Sequence, residues 1–308
     1  MAQHHNRTQS AHTRRRWSEP VIAMSQVVAG NQSSVPGLTP RGDAFVWRLV
    51  GTGLSFAAFG LAAALLNVTV FPALRLLPRD RCRRWSRIVL QRGMRVFIAL
   101  MSGLGVLTYR FLGAERLGSP GQLIVANHPT LIDAVFLIAF TPQPVCVAKS
   151  AMFRNPLTRS LVAAAGYISN EGSADMVLGA ANALAAGQCL IMFPEGTRTR
   201  VGEPLTFQRG AANIGVRAAR TVTPVYIECE PITLTKGEPW YRIPPRRPHF
   251  SFRVGEDFPF AACKAQPSIP RASRAFNADL LAHFESELQR PPGYTEADSS
   301  GTNPGSVG

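Results

Sequence analysis

A run of 26 residues without a charged side chain, residues 49–74, restricts the fold of this chain more than any other feature. A helix that spans a membrane needs about 20 apolar residues, whereas globular helices average ~10–14. The run is rich in Ala, Gly, Leu and Phe, and its Gly and Pro residues are tolerated in membrane helices. It starts too late and is too long for a cleavable signal peptide. The sequence therefore predicts a membrane-inserted helix, with a buried core helix as the alternative.

Positive charge follows this run directly. Residues 75–95 contain eight arginines and the single acid Asp80. Because basic residues beside a membrane segment mark its cytoplasmic side, the rest of the chain is expected in the cytoplasm, at the inner membrane. A second apolar run, residues 96–109, is short for a full span and is expected to lie in the interface or to insert partway. One span, or a shallow helical hairpin that never crosses, fits this pattern.

The net charge of +14 requires an acidic class of partner. Basic proteins often bind nucleic acid, but no nucleic-acid motif occurs, and the arginines cluster beside the apolar runs. Anionic lipid headgroups explain that placement better. We expect an anionic membrane surface as a partner and no nucleic acid. The basic stretch 242–247 is explained equally well as a surface that is simply exposed to water.

The five cysteines show no pairing pattern and no Cys-x-x-Cys motif. Three of them, Cys146, Cys189 and Cys229, lie in strand-like runs and are expected to be small buried apolar residues. The histidines do not cluster with cysteines or acids at metal-ligand spacing. The sequence therefore predicts no disulfide framework, no metal site and no bound cofactor.

The composition divides the chain into four parts. A basic tail, 1–40, and a Gly/Ser/Pro-rich tail, 291–308, are expected to be disordered. Residues 41–112 are the expected membrane-associated helical region, and 113–290 form a globular domain. Within that domain, strand and helix patterns alternate, which predicts an α/β fold with a mainly parallel sheet flanked by helices. The predicted strands are 122–126, 144–148, 166–169, 188–193, 222–230 and 249–254. The predicted helices are 130–140, 156–165, 173–186, 208–220 and a closing amphipathic helix, 271–290.

His128 and Asp133 stand five positions apart, just after the apolar run 123–126. A histidine that removes a proton from a hydroxyl during attack typically accelerates the reaction ~10²–10⁴-fold, and a carboxylate on its other nitrogen fixes the tautomer. On one continuous helix the two side chains would diverge by about 140°. Pro129 disfavours helix at His128, so we place His128 on the strand-to-helix loop and Asp133 in the first turns of the helix. From there Asp133 can reach back to the imidazole.

A second loop, residues 193–198, reads Phe-Pro-Glu-Gly-Thr-Arg and also follows an apolar run. Each motif has a simpler interpretation, since a His-Asp pair is often a structural hydrogen bond and Pro and Gly mark ordinary turns. Ligands of α/β sheets, however, bind where strands end, which is where both motifs stand. The chain has no Gly-x-Ser-x-Gly nucleophile elbow, so we expect direct transfer to an acceptor hydroxyl.

Both motifs, in this order, resemble the signature of the glycerolipid acyltransferase family, which includes the glycerol-3-phosphate and lysophosphatidic acid acyltransferases. Asn-His-x-x-x-x-Asp matches residues 127–133, Phe-Pro-Glu-Gly-Thr-Arg matches 193–198, and an apolar stretch around a proline matches 222–227. The resemblance covers about residues 120–230 and implies a fold similar to glycerol-3-phosphate acyltransferase, with 113–290 as the catalytic domain. It implies that His128 is the general base and that Asp133 orients it. The substrate-binding candidates are Asn127, Asn170, Glu195, Gly196, Thr197 and Arg198.

The stretch 166–170 departs from the family pattern. That pattern usually reads Gly-x-x-Phe-Ile-x-Arg, and here Asn170 stands where the arginine would be. Arginine suits phosphate because it is always charged and binds in a bidentate fork, whereas asparagine is neutral. A phosphate-bearing acceptor stays the favoured expectation, with Arg198 or Arg209 as a replacement cation. Another lipid hydroxyl is the alternative.

The sequence thus predicts a membrane-bound O-acyltransferase. A fatty acyl group would move from acyl-CoA or acyl carrier protein, as co-substrate, to a hydroxyl of a lysophospholipid such as 1-acylglycerol-3-phosphate. Two alternatives stay open: a thioesterase that uses water with the same His-Asp pair, and a non-catalytic lipid-binding membrane protein.

Overall fold

The computed structural model describes residues 44–156 and 158–289, so the predicted disordered tails lie outside the described residues. Its centre is a seven-stranded sheet. The strands are β1 (Thr108–Leu112), β2 (Gln122–Ala126), β3 (Val145–Ala148), β4 (Ile168–Ser169), β5 (Leu190–Met192), β6 (Thr221–Glu230) and β7 (His249–Val254). All six predicted strands are present, and their ends differ from the prediction by two residues at most.

The sheet order is β1-β7-β6-β2-β5-β3-β4. Neighbouring strands run parallel, except that β6 and β7 are antiparallel. The prediction of a mainly parallel sheet is therefore confirmed. Since parallel neighbours end at the same edge, the loops that follow β2, β3, β4 and β5 all leave the sheet on one side.

Helices cover both faces of the sheet. They are α1 (Phe45–Val68), α2 (Val70–Leu74), α3 (Arg79–Gly103), α4 (Asp133–Phe140), α5 (Ser150–Arg154), α6 (Arg159–Ala165), α7 (Ser173–Ala185), α8 (Arg209–Ala218), α9 (Ala261–Lys264) and α10 (Ile269–Leu288). The five predicted helices occur as α4, α6, α7, α8 and α10, with ends within three residues of the prediction. The short helices α5 and α9 were not predicted.

Alternate residues of the central strand β2 supply the two halves of the core. Ile124 and Ala126 point to one face, where α3 and α4 pack with residues such as Phe97 and Phe136. Leu123 and Val125 point to the other face, where α7, α8 and α10 close the core. Successive side chains of a strand point to opposite faces, so a strand covered on both sides is apolar throughout.

Helices α1 and α2 form an apolar segment, Phe45–Leu74. Of the described residues 44–156 and 158–289, this is the one stretch long and apolar enough to cross a membrane, judged by length and composition. It packs on the α3 side of the sheet, where Phe56 and Phe59 contact the ring of Phe97 at centroid distances of 5.9 and 4.7 Å.

The second apolar run, 96–109, was wrongly assigned to the membrane interface. Its first half ends α3, where Phe97, Ile98 and Met101 are buried against the sheet, and its last two residues begin β1. The run is apolar because it faces the protein core. The sheet therefore begins at Thr108, within the region 41–112 that was predicted to be helical.

Candidate active site

The two sequence motifs leave neighbouring strands at the same edge of the sheet. Strand β2 pairs with β5 in parallel, with Val125 opposite Met192. The loop that follows β2 carries His128, and the loop that follows β5 carries Glu195. Although the motifs are more than sixty residues apart in sequence, the parallel pairing brings them into contact.

His128 and Asp133 form the predicted hydrogen bond. Nδ1 of His128 lies 2.8 Å from Oδ2 of Asp133. Asp133 is the first residue of α4, so the helix begins three residues later than predicted, and Pro129 lies in the loop between the two side chains. The structure brings the pair together as the loop-to-helix interpretation requires, and the catalytic role stays a prediction.

Thr130, which the sequence analysis did not single out, fixes the carboxylate of Asp133. Its amide donates to Oδ2 of Asp133 at 2.6 Å, and its hydroxyl donates to Oδ1. Both residues are fully buried. With the imidazole as a third donor, the carboxylate has no freedom to turn away from the histidine.

The imidazole of His128 is held on one face and open at one end. It stacks on the ring of Phe193, with centroids 4.1 Å apart and an interplanar angle of 23°. Its side chain is 18% exposed, and no described residue bonds to Nε2. With Nδ1 donating to Asp133, Nε2 is the unprotonated nitrogen and can accept a proton from a substrate.

Glu195 faces the histidine loop and not the solvent. Its Oε1 accepts the amide N–H of His128 at 2.7 Å, and its Oε2 accepts the hydroxyl of Thr199. The side chain is 5% exposed, and burial raises its pKa above the ordinary value. Both oxygens are therefore occupied by protein donors.

The rest of this loop contains a tight turn at Gly196 and a side chain, Arg198, that binds a neighbouring loop. Gly196 has φ +69°, which only glycine adopts without strain. A Cβ added at this position would lie 2.7 Å from the side-chain nitrogen Nε2 of Gln208. Arg198 donates through Nη1 to the carbonyls of Leu234 and Thr235 at 2.9 and 2.8 Å. Thr197 is half-buried, and no residue in the described part of the chain forms a hydrogen bond with its hydroxyl. Of the predicted loop residues, Thr197 is thus the freest to contact a substrate.

Asn127 and Asn170 both form hydrogen bonds within the protein, and their substrate-binding roles stay predictions. The buried amide of Asn127 bonds both the N–H and the C=O of Ile227 in β6, each at 2.8 Å, so it ties the start of the loop to the sheet. Asn170 accepts the amide of Ser150 at 2.9 Å and follows β4, three strands from β2, about 14 Å away. The structure does not bring Asn170 next to His128.

Lys149 is a cation that the sequence analysis missed. It follows β3, two strands from β2, and the register places it level with Asn127 at the edge of the sheet, about 10 Å away. The side chain is exposed, and within 44–156 and 158–289 no group pairs with its amine. Its position directly after a strand-like run is the signal that could have identified it. Arg209, the other suggested cation, is exposed at the start of α8.

A small cleft adjoins the loop that carries the histidine. Its walls include Thr52 of α1, Met101 of α3, Phe250 of β7 and Leu234, and it reaches Ile132, the neighbour of Asp133. Most of the lining side chains are apolar. The cleft therefore connects the apolar segment with the loop that carries the histidine.

A cysteine nucleophile does not fit this site. Burial, with the charge of Asp133 second, raises the pKa of the Cys229 thiol to about 12. A neutral thiol is a weak nucleophile. All five cysteines are free and buried. Among the described residues, no group of three or more His, Cys, Asp or Glu side chains could hold a metal ion.

Residues 109–228 match the family model named Acyltransferase. This segment contains both sequence motifs, so the similarity to acyltransferases extends beyond them. The 1-acyl-sn-glycerol-3-phosphate acyltransferase of Helicobacter pylori (strain J99) is 29% identical over 123 residues, which cover 37% of this chain and 52% of that protein. The protein with the same name from Limnanthes douglasii is 30% identical over 122 residues, which cover 37% of this chain and 43% of it.

The chain thus spans about half the length of the curated relatives it matches. The crystal structure of the 1-acyl-sn-glycerophosphate (LPA) acyltransferase PlsC from Thermotoga maritima superposes with a TM-score of 0.60. It is 18% identical, and the match covers 80% of this chain and 98% of that one. This likeness shows that the fold is shared.

Proposed function

We propose that the protein is a membrane-bound O-acyltransferase. It moves a fatty acyl group from an acyl thioester to a hydroxyl of a lysophospholipid such as 1-acylglycerol-3-phosphate. The observation that carries this proposal is the contact of 2.8 Å between Nδ1 of His128 and the buried Asp133, with Nε2 left open. The names of the relatives that match this domain support the same reaction.

The reaction needs only the groups of this site and its two substrates. Nε2 of His128 removes the proton of the acceptor hydroxyl while the hydroxyl oxygen attacks the thioester carbonyl. Asp133 stabilises the imidazolium that forms. The tetrahedral adduct collapses, the carbon–sulfur bond breaks, and Nε2 returns the proton to the leaving thiolate. The products are a new oxygen ester and a free thiol, and the histidine is unchanged.

A phosphate on the acceptor is supported by the free cation at this edge of the sheet. Lys149 lies about 10 Å from the histidine strand, a distance that a lysine side chain and a glycerol phosphate together can bridge. The amine has no protein partner among the described residues. A second candidate, a lipid alcohol without phosphate, is favoured by Asn170, which supplies no charge and is already engaged with Ser150.

The acyl chain is assigned to the cleft beside Ile132. Each CH₂ of an acyl chain that leaves water contributes about 0.8 kcal/mol, so the apolar lining of this cleft favours the chain. The donor is acyl-CoA or acyl carrier protein, whose acidic groups the net charge of +14 would attract.

Membrane binding is supported by the distribution of polar residues on α1, which is the reverse of that on a helix exposed to water. The face of α1 that packs on the protein carries Arg48, Thr52 and Ser55, each 3% exposed or less. The opposite face carries an exposed apolar stripe along the whole helix. Its members are Val46, Val50, Leu54, Leu61, Leu65 and Val68. A helix with its polar stripe inward and its apolar stripe outward is suited to lipid.

The attachment of α1 favours insertion along the surface over a full span. Arg48, near its start, donates to the carbonyls of Pro244 and Pro245, and Asn67, near its end, donates to the carbonyl of Pro156 at 2.9 Å. A helix fastened at both ends to a polar domain cannot cross the bilayer without carrying that domain inside. We therefore place α1 in one leaflet, on the cytoplasmic side of the inner membrane. The exposed arginines of α3 would contact anionic headgroups.

The decisive experiment uses His128→Ala and Asp133→Asn in purified protein on phospholipid vesicles with labelled acyl-CoA and 1-acylglycerol-3-phosphate. We expect His128→Ala to reduce ester formation at least about 100-fold while vesicle binding is retained. Substantial residual transfer would exclude His128 as the base. Release of free fatty acid without a new ester would identify a thioesterase.

Lys149→Gln tests the class of acceptor. We expect KM for 1-acylglycerol-3-phosphate to rise about tenfold, because a charge-assisted hydrogen bond to phosphate contributes about 1.5–3 kcal/mol. Transfer to a phosphate-free monoacylglycerol should not change. Arg217→Gln, an exposed charge on α8, is the matched control. An unchanged KM would favour the phosphate-free acceptor.

A further inference from the structure

The backbone of the histidine loop is held at each of its amides. The amide of His128 donates to Oε1 of Glu195 at 2.7 Å, that of Thr130 to Oδ2 of Asp133 at 2.6 Å, and that of Leu131 to the carbonyl of Leu234 at 3.0 Å. Pro129 has no N–H. Every amide between 128 and 131 is therefore already paired, and two of the three acceptors come from other loops.

Glu195 is bound on both sides of its carboxylate. Opposite the His128 amide, it accepts the hydroxyl of Thr199, and its own carbonyl accepts the side-chain amide of Gln208 at 3.3 Å. The carboxylate is 5% exposed. A group that binds an acceptor lipid would have to present a free oxygen to the site, and the oxygens of Glu195 are turned to the protein.

Arg198 acts on the other end of the same loop through Leu234. Its Nη1 donates to the carbonyl of Leu234 at 2.9 Å, and that carbonyl also accepts the amide of Leu131. Leu234 has φ +53°, a left-handed conformation that is unfavourable for leucine, and it is 5% exposed. Such a conformation persists only where surrounding contacts enforce it, and Arg198 provides one of these contacts.

We infer that Glu195 and Arg198 are positioning residues that hold the histidine loop by its two outer amides, and that they do not bind the acceptor. Glu195 holds His128 directly, and Arg198 holds Leu131 through the carbonyl of Leu234. Together they fix the imidazole between Asp133 and the hydroxyl that it deprotonates. The inference rests on the proposed acyl transfer, because it assigns His128 the role of base.

The two possible roles differ in the kinetic constant that they affect. A misplacement of the base by about 1 Å lowers kcat by ~10²-fold, since the reacting atoms lose their alignment, while the affinity for the acceptor is unchanged. Loss of a group that binds the acceptor raises KM instead. Steady-state kinetics on vesicles with varied 1-acylglycerol-3-phosphate therefore separate positioning from binding.

Glu195→Ala and Glu195→Gln form the first test. We expect Glu195→Ala to lower kcat about 10- to 100-fold, with KM for the acceptor within about twofold of the parent protein. Glu195→Gln should restore most of kcat, because its amide oxygen accepts the His128 N–H and its amino group can donate to Thr199. Equal loss in both variants, or a KM increase of about tenfold with kcat retained, would overturn the inference.

Arg198→Ala is the second test, and Arg200→Ala is its matched control. Arg200 lies two residues further along the same loop and is exposed, and it forms an ion pair with Glu203 at 3.6 Å. We expect kcat to fall about tenfold in Arg198→Ala and to stay unchanged in Arg200→Ala. A specific rise in KM for the acceptor in Arg198→Ala would assign this arginine to substrate binding.

Two measurements separate this inference from its premises. Thermal unfolding identifies any variant that fails to fold, and in that case Thr199→Val replaces Glu195→Ala, with an expected decrease in kcat of about threefold. If His128→Ala retains transfer, the proposed function fails. If His128→Ala is inactive while Glu195→Ala has the parent kcat, only the positioning role fails.

Discussion

The two faces of the sheet are covered by helices of opposite polarity. On one face, α10 buries Phe276, Leu280 and Phe284, each 0% exposed, and its charged residues other than Glu287 are exposed. On the other face, the outer helix α1 buries Arg48, Thr52 and Ser55, and its valines and leucines point outward. Both helices are long and both pack on the same domain.

The difference indicates the medium that each face meets. The outward face of a helix matches its surroundings, so the polar exterior of α10 suits water and the apolar exterior of α1 suits the lipid contact proposed above. The residues on the inward face are set by packing against the domain. In α1 these residues form the hydrogen bonds that attach the helix to the domain. Substitutions on the inner and outer sides of these helices can therefore test this difference.

Phe276→Ala, on the side covered by α10, should have the largest effect on the stability of the protein. The ring is fully buried between α8 and α10, and its removal leaves a cavity, so the free energy of unfolding should fall by about 3–5 kcal/mol. Urea unfolding in detergent measures this change. Leu178→Ala on α7, where the side chain is 62% exposed, is the control and should change stability by less than ~0.5 kcal/mol. Similar effects of the two variants would contradict the assignment of α10 to the core.

Arg48→Met tests whether the buried polar face of α1 attaches this helix to the domain. Methionine fills similar space but cannot donate to the carbonyls of Pro244, Pro245 and Arg246. Buried acceptors that lose a charged donor should lower the free energy of unfolding by about 2–3 kcal/mol. Differential scanning calorimetry provides the measurement, with the exposed Arg75→Met as control. A stability equal to that of the control would mean that the polar inner stripe does not fasten α1.

The double substitution Leu61→Ser and Leu65→Ser tests the outer stripe. Both side chains are exposed, at 73% and 61%, so unfolding in detergent should be unchanged. Partition onto vesicles should weaken by about 2 kcal/mol, or ~30-fold, because apolar surface no longer enters the lipid. Sedimentation with vesicles measures this, and Leu178→Ser is the control. If partition is unaffected, the medium of α1 is not lipid.

Arg92→Gln has the smallest expected effect. Arg92 lies exposed on α3, and a basic side chain near an anionic surface contributes about 1 kcal/mol. Binding to anionic vesicles should weaken about fivefold at low salt, and the difference should shrink in high salt because the charges are screened. Arg217→Gln on α8, which lies on the opposite face of the sheet, should have no effect. A loss with neutral vesicles as well would point to a packing defect.

The strands and the core helices follow from local patterns. Strand β2 was predicted residue for residue because five successive apolar or buried positions are typical of a central parallel strand. The run 96–109 was misassigned because a segment packed on a sheet and a segment packed in lipid are equally apolar. Their difference depends on the partner, which the composition of the segment does not contain.

The sequence predicted which residues belong to the site better than it predicted their hydrogen bonds. His128 and Asp133 were brought together as expected, because only five positions and one proline separate them. Glu195 and Arg198 were expected to bind the acceptor, a role that stays a prediction. Their hydrogen bonds to a backbone amide and two carbonyls of other loops were not predicted. Lys149 was missed because it belongs to neither of the two motifs that guided the prediction.

Local sequence patterns were sufficient to predict strands β2 to β7, the long uncharged segment, and the pairing of an imidazole with a nearby carboxylate. These depend on neighbours within one turn or one strand. Only the tertiary structure decided that Glu195 meets the amide of His128, 67 positions away, and that Asn127 joins a strand 100 positions away. Such contacts depend on which strands lie side by side, and that order is set by the packing of the whole sheet.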